Sequence, residues 1–309
     1  MPFTLAHPAA VLPLFRRPLI PAALVAGAMA PDIPYFLGAL GLTATSRTWY
    51  EPLTNAGVSH SATGALTVSL LFALCLLALH LLVRAPVTDL LPARWVRPAE
   101  SPRQARGLRE HVGKTPWLLL SALIGTATHL AWDAVTLDGF LAGRLTLLHG
   151  RAVGAMTLGQ VLEYASSAVG LAIVGRFLWR HRAEPHSRHD RVAHLTPTMR
   201  WSVLAALALA CVLGAAANLQ GVDAYRQTTT YDYSRPITHK LADGVTTTGY
   251  PTRTVETPWA DTAEALLYDT AKGAGAALIL SLLAYGTTWH TTRLPKRFTR
   301  KTAPSSHRV

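Results

Sequence analysis

Residues 62–83, ATGALTVSLLFALCLLALHLLV, decide the fold of this chain. The stretch contains no Asp, Glu, Lys or Arg, and its leucines would cover every face of a helix. Because a transmembrane helix needs about 20 consecutive, predominantly apolar residues, the stretch predicts a helix that crosses a membrane. Pro86 and the prolines that follow it predict that this helix ends before the next loop.

Four further runs have the same length and apolar character, and the composition agrees with them. Half of the 309 residues are hydrophobic and 15% are charged, against about 25% charged in an ordinary soluble domain. The mean hydropathy is +0.24. We therefore predict an all-α, polytopic membrane helix bundle with five full spans, at residues 62–83, 116–136, 160–179, 201–219 and 263–286.

The first 40 residues contain two shorter apolar segments, at 3–15 and 19–30, separated by Arg16, Arg17 and Pro18. At about 1.5 Å per residue, each helix would cover about 18–20 Å, which is less than the roughly 30 Å of a hydrocarbon core. We predict an N-terminal helical hairpin packed against the other helices, and a sixth span is the alternative.

The basic residues fall mainly on one side of the predicted spans. Residues 84–115, 180–200 and 290–309 hold seven, five and six Lys or Arg, whereas residues 41–60, 137–159 and 220–262 hold one, two and four. Basic loops stay in the cytoplasm, so we expect a multi-pass protein of the plasma membrane with its basic loops and C-terminus inside.

The same pattern bears on domains and partners. We predict one transmembrane domain, residues 1–290 with an outer loop at 220–262, followed by a basic cytoplasmic tail, residues 291–309. The net charge of +12 is divided among the loops and not gathered on one soluble face, which argues against nucleic-acid binding. The expected partners are the lipid bilayer and its anionic lipids, which would meet the basic loops.

Ionisable residues are rare within spans and usually have a partner or a function. His129 and Asp133 are four residues apart in the span predicted at 116–136, so both lie on one helix face near its outer end. His60 begins the preceding span, Asp32 ends the hairpin, and His7 lies at the mouth of that hairpin. The predicted orientation brings all five to one level of the membrane.

Imidazole and carboxylate are the ligand types of zinc, or of a harder ion such as manganese when carboxylates dominate. The spacing therefore predicts a divalent metal site formed by His7, Asp32, His60, His129 and Asp133. Other interpretations stay open at this point. Asp32 is also suited to cap a helix, His129 and Asp133 to form a buried polar pair, and Glu163 to be a further ligand or to support one.

Several motifs resemble a known family. MPFTLAHPAAVLPL, GAMAPDIPYFLG, SHSATG and THLAWDAVT resemble bacterial proteins with the domain of unknown function 4184. More distantly, residues 1–180 are similar to membrane-bound proteins described as metal-dependent hydrolases, a group compared with zinc-dependent phospholipase C. The resemblance implies metal-site roles for His7, Asp32, His60, His129 and Asp133. Two positions depart from the pattern, since Leu137 and the pair Pro34-Tyr35 stand where relatives often have a histidine.

The expected function is a metal-dependent hydrolase whose site opens at the outer membrane face. Zinc is the expected ion, Asp32 and Asp133 are the candidate catalytic carboxylates, and a phosphoester or lipid-linked molecule is the expected substrate. A non-catalytic membrane protein with a structural His/Asp cluster is the first alternative. A transporter is the second, although the sequence has no repeated half.

Overall fold

The computed structural model describes residues 3–43, 48–91, 114–135, 148, 150–153, 156–181, 195–219, 222–240 and 246–292. Helices dominate it. The α-helices are α1 (Pro8–Val11), α2 (Pro21–Met29), α3 (Ile33–Ala39), α4 (Glu51–Thr54), α5 (Ala56–Ser59), α6 (Ala62–Gly64), α7 (Leu70–Leu90), α8 (Thr115–Ala134), α9 (Leu158–His181), α10 (Pro197–Asn218), α11 (Val222–Arg226) and α12 (Trp259–Thr291). Short 3-10 turns cover Thr4–Ala6, Leu12–Leu14 and Ala30–Asp32, and a π-helical segment, Ala65–Ser69, joins α6 to α7.

The protein is a polytopic all-α membrane protein, as the sequence predicts. Five helical stretches within the described residues are long and apolar enough to cross a membrane. Four of them overlap the spans predicted at 62–83, 160–179, 201–219 and 263–286. The five stretches are Pro21–Ala39, Ala62–Leu90, Leu158–His181, Pro197–Ala217 and Trp259–Thr291.

The fifth stretch differs from the prediction. The predicted span at 116–136 is present as α8, but its end near Ala134 carries Thr, His and Asp side chains, and the helix is not among the five. The fifth candidate span is instead Pro21–Ala39. The second arm of the predicted hairpin, residues 19–30, is therefore longer than expected. Its prolines do not break it, because Pro31 and Pro34 each lie in the first turn of a helical segment, where a missing N–H has little effect.

The end of the first main span was also predicted wrongly. The helix does not stop before Pro86 but continues through it to Leu90. Proline removes the N–H that would bond to the carbonyl of Leu82, four residues back. His290 Nε2 donates to that carbonyl instead, at 3.0 Å, and Tyr285 Oη donates to the Pro86 carbonyl at 3.1 Å.

Close packing of α2 and α8 forms the centre of the bundle near the site. A Cβ atom added to Gly27 would lie 2.0 Å from the Ala122 carbonyl oxygen, and one added to Gly125 would lie 2.2 Å from that of Leu24. The two backbones can approach so closely only because both residues lack a side chain. Thr126 Oγ1 also donates to the Gly27 carbonyl, at 3.3 Å.

The chain divides into two compact units, residues 1–207 with 279–309, and residues 208–278. The second unit contains the whole of the predicted outer loop 220–262, whose described residues form two antiparallel β-ribbons. The strands are β3 (Gln227–Tyr231) paired with β6 (Thr252–Glu256), and β4 (Ile237–Lys240) paired with β5 (Thr246–Gly249). A further short ribbon in the first unit pairs β1 (Arg151–Val153) with β2 (Met156–Thr157).

The basic segments that predicted the orientation lie largely outside the described residues. These include 92–113, 182–194 and the predicted tail from residue 293 onward. The cytoplasmic placement of the basic side and the boundary of the tail therefore stay predictions.

Candidate metal centre

Four separate segments of the first unit bring the five predicted site residues together. His7 lies at the junction between the Thr4–Ala6 turn and α1, and Asp32 ends the Ala30–Asp32 turn. His60 follows α5, while His129 and Asp133 lie one turn apart near the end of α8. The i,i+4 spacing of His129 and Asp133 therefore places both side chains on one face of α8, as the sequence predicts.

Four of these residues present metal-ligand atoms to one point. Asp32, His60, His129 and Asp133 each offer one nitrogen or oxygen, and the four atoms lie within 4.8 Å of one another. Histidine nitrogens and carboxylate oxygens are the ligands that zinc accepts. The group can therefore hold a metal ion.

The orientation of both imidazole rings suits metal binding. His129 Nδ1 donates to the Ala28 carbonyl at 2.8 Å, and His60 Nδ1 donates to the Ala56 carbonyl at 2.8 Å. A backbone acceptor at Nδ1 fixes the neutral tautomer in which the lone pair is on Nε2. Both Nε2 atoms face the other ligand atoms, as metal-binding histidines require.

The electrostatics of the group call for a cation. The two Nε2 atoms are 3.3 Å apart, and with both protons on Nδ1 two lone pairs face each other. Two carboxylates meet the same point, and charges interact more strongly away from water. A positive charge at this point, either a bound metal ion or a proton on an Nε2 atom, removes the repulsion between these electron-rich atoms.

The distances fit a tetrahedral ion. His60 Nε2 is 3.5 Å from Asp32 Oδ1 and 3.4 Å from Asp133 Oδ2, while His129 Nε2 is 3.5 and 3.2 Å from the same two atoms. Tetrahedral zinc with bonds of about 2.0–2.1 Å holds its ligand atoms about 3.3–3.4 Å apart. Octahedral magnesium, with bonds of similar length, would hold adjacent ligands about 2.8–3.0 Å apart. The four nitrogen–oxygen separations match the tetrahedral values, and all four ligand atoms lie within 4.8 Å of one another.

His7 has a different position from the other two histidines. It is not a member of the four-residue group; its Nε2 is 3.2 Å from Asp133 Oδ1, whereas His60 and His129 face Oδ2 of the same carboxylate. Its ring stacks on that of His129, with centroids 3.8 Å apart and planes 17° from parallel. The prediction that His7 is itself a ligand stays a prediction.

The centre is buried on one side and accessible on the other. The side chains of His129 and Asp32 are 0% and 3% exposed, whereas those of His60 and Asp133 are 18% and 12% exposed. Tyr35 lies near the accessible histidine, with its ring centroid 6.2 Å from that of His60. The exposed part of the centre therefore belongs to His60 and Asp133.

Other residues considered in the sequence fall outside the group. Glu163 is buried on α9 but is not one of the four residues that share the site. His80 lies on α7, 20 residues beyond His60, which corresponds to about 30 Å along a helix. Leu137, one of the two departures from the family pattern, lies outside the described residues.

Two buried serines that the sequence did not single out support His60 and Asp32. Ser69 Oγ donates to the Ser59 carbonyl at 2.7 Å, and Ser59 Oγ donates to the Pro31 carbonyl at 2.7 Å. These bonds connect the π-helical segment, the residue before His60 and the residue before Asp32. π-helical segments often occur at functional sites.

We expect Ser69→Ala to weaken this connection, because the buried Ser59 carbonyl would lose its donor. The free energy of unfolding should fall by about 1–3 kcal/mol, measured by chemical unfolding in detergent. Thr67→Ala is the matched control, since Thr67 lies in the same segment but is exposed, and it should change stability by less than about 0.5 kcal/mol. Equal effects of the two substitutions would contradict the assigned role of Ser69.

Fold and site together define a polytopic helical membrane protein with a buried His/Asp cluster of metal-binding type. The chain belongs to the family described as Domain of unknown function (DUF4184), whose model matches residues 1–286. No curated protein and no solved structure matches the chain.

Proposed function

We propose that this protein is a membrane-embedded, zinc-dependent hydrolase. The observation that carries the proposal is the convergence of two Nε2 atoms and two carboxylate oxygens, with the nitrogens 3.3 Å apart and 3.2–3.5 Å from the oxygens.

We assign two roles to the four residues. Catalytic zinc sites have three protein ligands and leave the fourth position to water. Asp32, His60 and His129 are the proposed ligands, the first and last of them buried. Asp133, on the accessible side, is the proposed base that accepts the proton of the attacking water. The ion would supply a lowered water pKa and a positive charge for the developing oxyanion.

The surroundings support a substrate that comes from the membrane. Leu66 lies six residues after His60 and Val135 two residues after Asp133, and they are 62% and 48% exposed. Apolar side chains with this exposure suit contact with lipid. With the basic loops placed in the cytoplasm by their charge, the site would open at the outer face of the plasma membrane. A phosphoester or lipid-linked molecule in that leaflet is the proposed substrate, and anionic lipids are the proposed partners of the basic loops.

A structural metal site is the second candidate. The same four residues could close a tetrahedral shell with no position left for water, as structural zinc sites do. The observation that favours this reading is that Asp133 Oδ2 is as close to both Nε2 atoms as Asp32 Oδ1 is.

Asp133→Asn separates the two candidates. In a hydrolase, the purified variant should keep its zinc, measured by elemental analysis, while turnover of phosphoester and phospholipid substrates falls by about 10²–10⁴. Asp261→Asn, at an exposed carboxylate of α12, should leave both measurements unchanged. A wild-type protein that contains zinc but cleaves none of these substrates, together with loss of zinc in Asp133→Asn, would support the structural site and contradict the hydrolase.

A further inference from the structure

His7 is a fully buried histidine whose place in the site is not explained by metal binding. His7 is 0% exposed, and it is not one of the four residues that could hold the metal ion. Its nearest polar contact is Asp133 Oδ1, at 3.2 Å from Nε2. The other oxygen of that carboxylate, Oδ2, faces His60 and His129 at 3.4 and 3.2 Å.

The two oxygens of Asp133 therefore have separate partners. A carboxylate can rotate about its Cβ–Cγ bond, and an N–H donor on one oxygen stops that rotation. Nε2 of His7 is placed to be that donor. Its Nδ1 is buried and has no hydrogen-bond partner among the described residues, so no acceptor there competes for the imidazole proton.

Packing holds His7 in this position. Its ring stacks on His129 and is tilted against Trp132, with centroids 3.8 and 5.5 Å apart. The preceding residue, Ala6, is packed against α9 at Gly170, where an added Cβ would lie 2.8 Å from the Ala6 Cβ. The N-terminal segment is therefore fixed on both sides of the histidine.

We propose that His7 is a positioning residue that orients the Asp133 carboxylate, so that Oδ2 points to the bound ion and to the water beside it. The proposal rests on the proposed function, because it requires an ion at the four-residue group. It replaces the role of metal ligand for His7 by that of a hydrogen-bond donor. Residues that orient metal-site carboxylates in this way typically change metal affinity or activity by about 10–100-fold when they are lost.

Two substitutions at residue 7 separate the donor from the ring. His7→Phe keeps an aromatic ring to stack on His129 but has no N–H group, whereas His7→Gln keeps an N–H donor of similar reach but has no ring. Each variant is loaded with Co²⁺ in place of zinc in the full-length protein in detergent, and the visible absorption bands of the ion report its coordination. Binding stoichiometry and affinity are measured by titration with Co²⁺.

We expect His7→Phe to bind one Co²⁺ per chain with altered absorption bands, because the Asp133 carboxylate beside the ion loses its fixed orientation. His7→Gln should restore most of the wild-type spectrum. Loss of all Co²⁺ binding in both variants, as expected for removal of a ligand, would overturn the positioning role. It would also be overturned if both variants matched the wild type, or if His7→Phe matched it and His7→Gln did not. If the wild-type protein bound no Co²⁺ or Zn²⁺, the proposed function itself would fail, and the role of His7 with it.

Discussion

Replacing His129 by alanine should remove the metal ion from the purified protein. His129 Nε2 is within 3.5 Å of ligand atoms on Asp32, His60 and Asp133, so it contacts all three other members of the group. Its loss should weaken zinc affinity by more than the 10–100-fold that is typical for a residue that only supports a ligand. Elemental analysis and competition with a chelator measure this change.

The matched control for His129→Ala is His80→Ala. His80 is also a helical histidine, but it lies about 30 Å along the helix from His60, so it should leave zinc content at the wild-type value. Asp32→Ala should behave like His129→Ala, because Asp32 Oδ1 faces both Nε2 atoms. If His129→Ala and Asp32→Ala both kept the full zinc content, the metal site would be wrong.

Adding a single methyl group to α8 by Gly125→Ala should also have a large effect, on both stability and zinc binding. Gly125→Ala would place a Cβ atom 2.2 Å from the Leu24 carbonyl oxygen and 2.8 Å from the backbone nitrogen of Ala28. The two helices must then move apart, which typically lowers the free energy of unfolding by about 1–3 kcal/mol. The Ala28 carbonyl accepts the Nδ1 proton of His129, so the same movement should weaken zinc binding.

Gly175→Ala is the control for this prediction. Gly175 lies within α9, and nothing lies within 4 Å of a Cβ added there. Alanine is favoured over glycine inside helices by about 0.5–1 kcal/mol, so this variant should be as stable as the wild type or slightly more stable. Thermal unfolding in one detergent, with and without zinc, compares the two variants. A Gly125→Ala protein with wild-type stability and zinc affinity would contradict the packing argument.

The helical membrane class could be predicted from the sequence because it depends on local properties. A run such as residues 62–83 is apolar over the length of a bilayer whatever its neighbours are. The stop predicted before Pro86 was wrong for the opposite reason. The His290 imidazole that donates to the Leu82 carbonyl lies 208 positions along the chain, so no local sequence pattern predicts this contact.

The ribbons in residues 220–262 were missed because their strands lack the usual signal. A half-buried strand alternates apolar and polar residues, but every residue of β6 is exposed and its sequence, TRTVE, is mainly polar. Such a strand cannot be recognised by a buried face that it does not have. Only the paired backbone identifies it.

The site was predictable in part. The spacing of His129 and Asp133 places both on one helix face, and the loop charges suggested that His7, Asp32 and His60 share their level. The roles within the site depend on contacts across the fold. Ser69 reaches Ser59 through the geometry of a π-helical segment, and the contact of His7 with Asp133 joins residues 126 positions apart. Neither leaves a signal in the sequence.

The modest hydropathy of α8 has a consequence for how the protein is made. A helix that carries His129 and Asp133 enters a bilayer less readily than its neighbours, since ionisable side chains are costly to place in a membrane. During synthesis, α2 and α7 emerge before α8. The surface of α2 around Gly27, the Ala28 carbonyl and the side chains of Asp32 and His60 are thus already available when α8 leaves the ribosome. Insertion of α8 into the bilayer and assembly of the site are then one event, because α2 and α7 precede α8 in the chain.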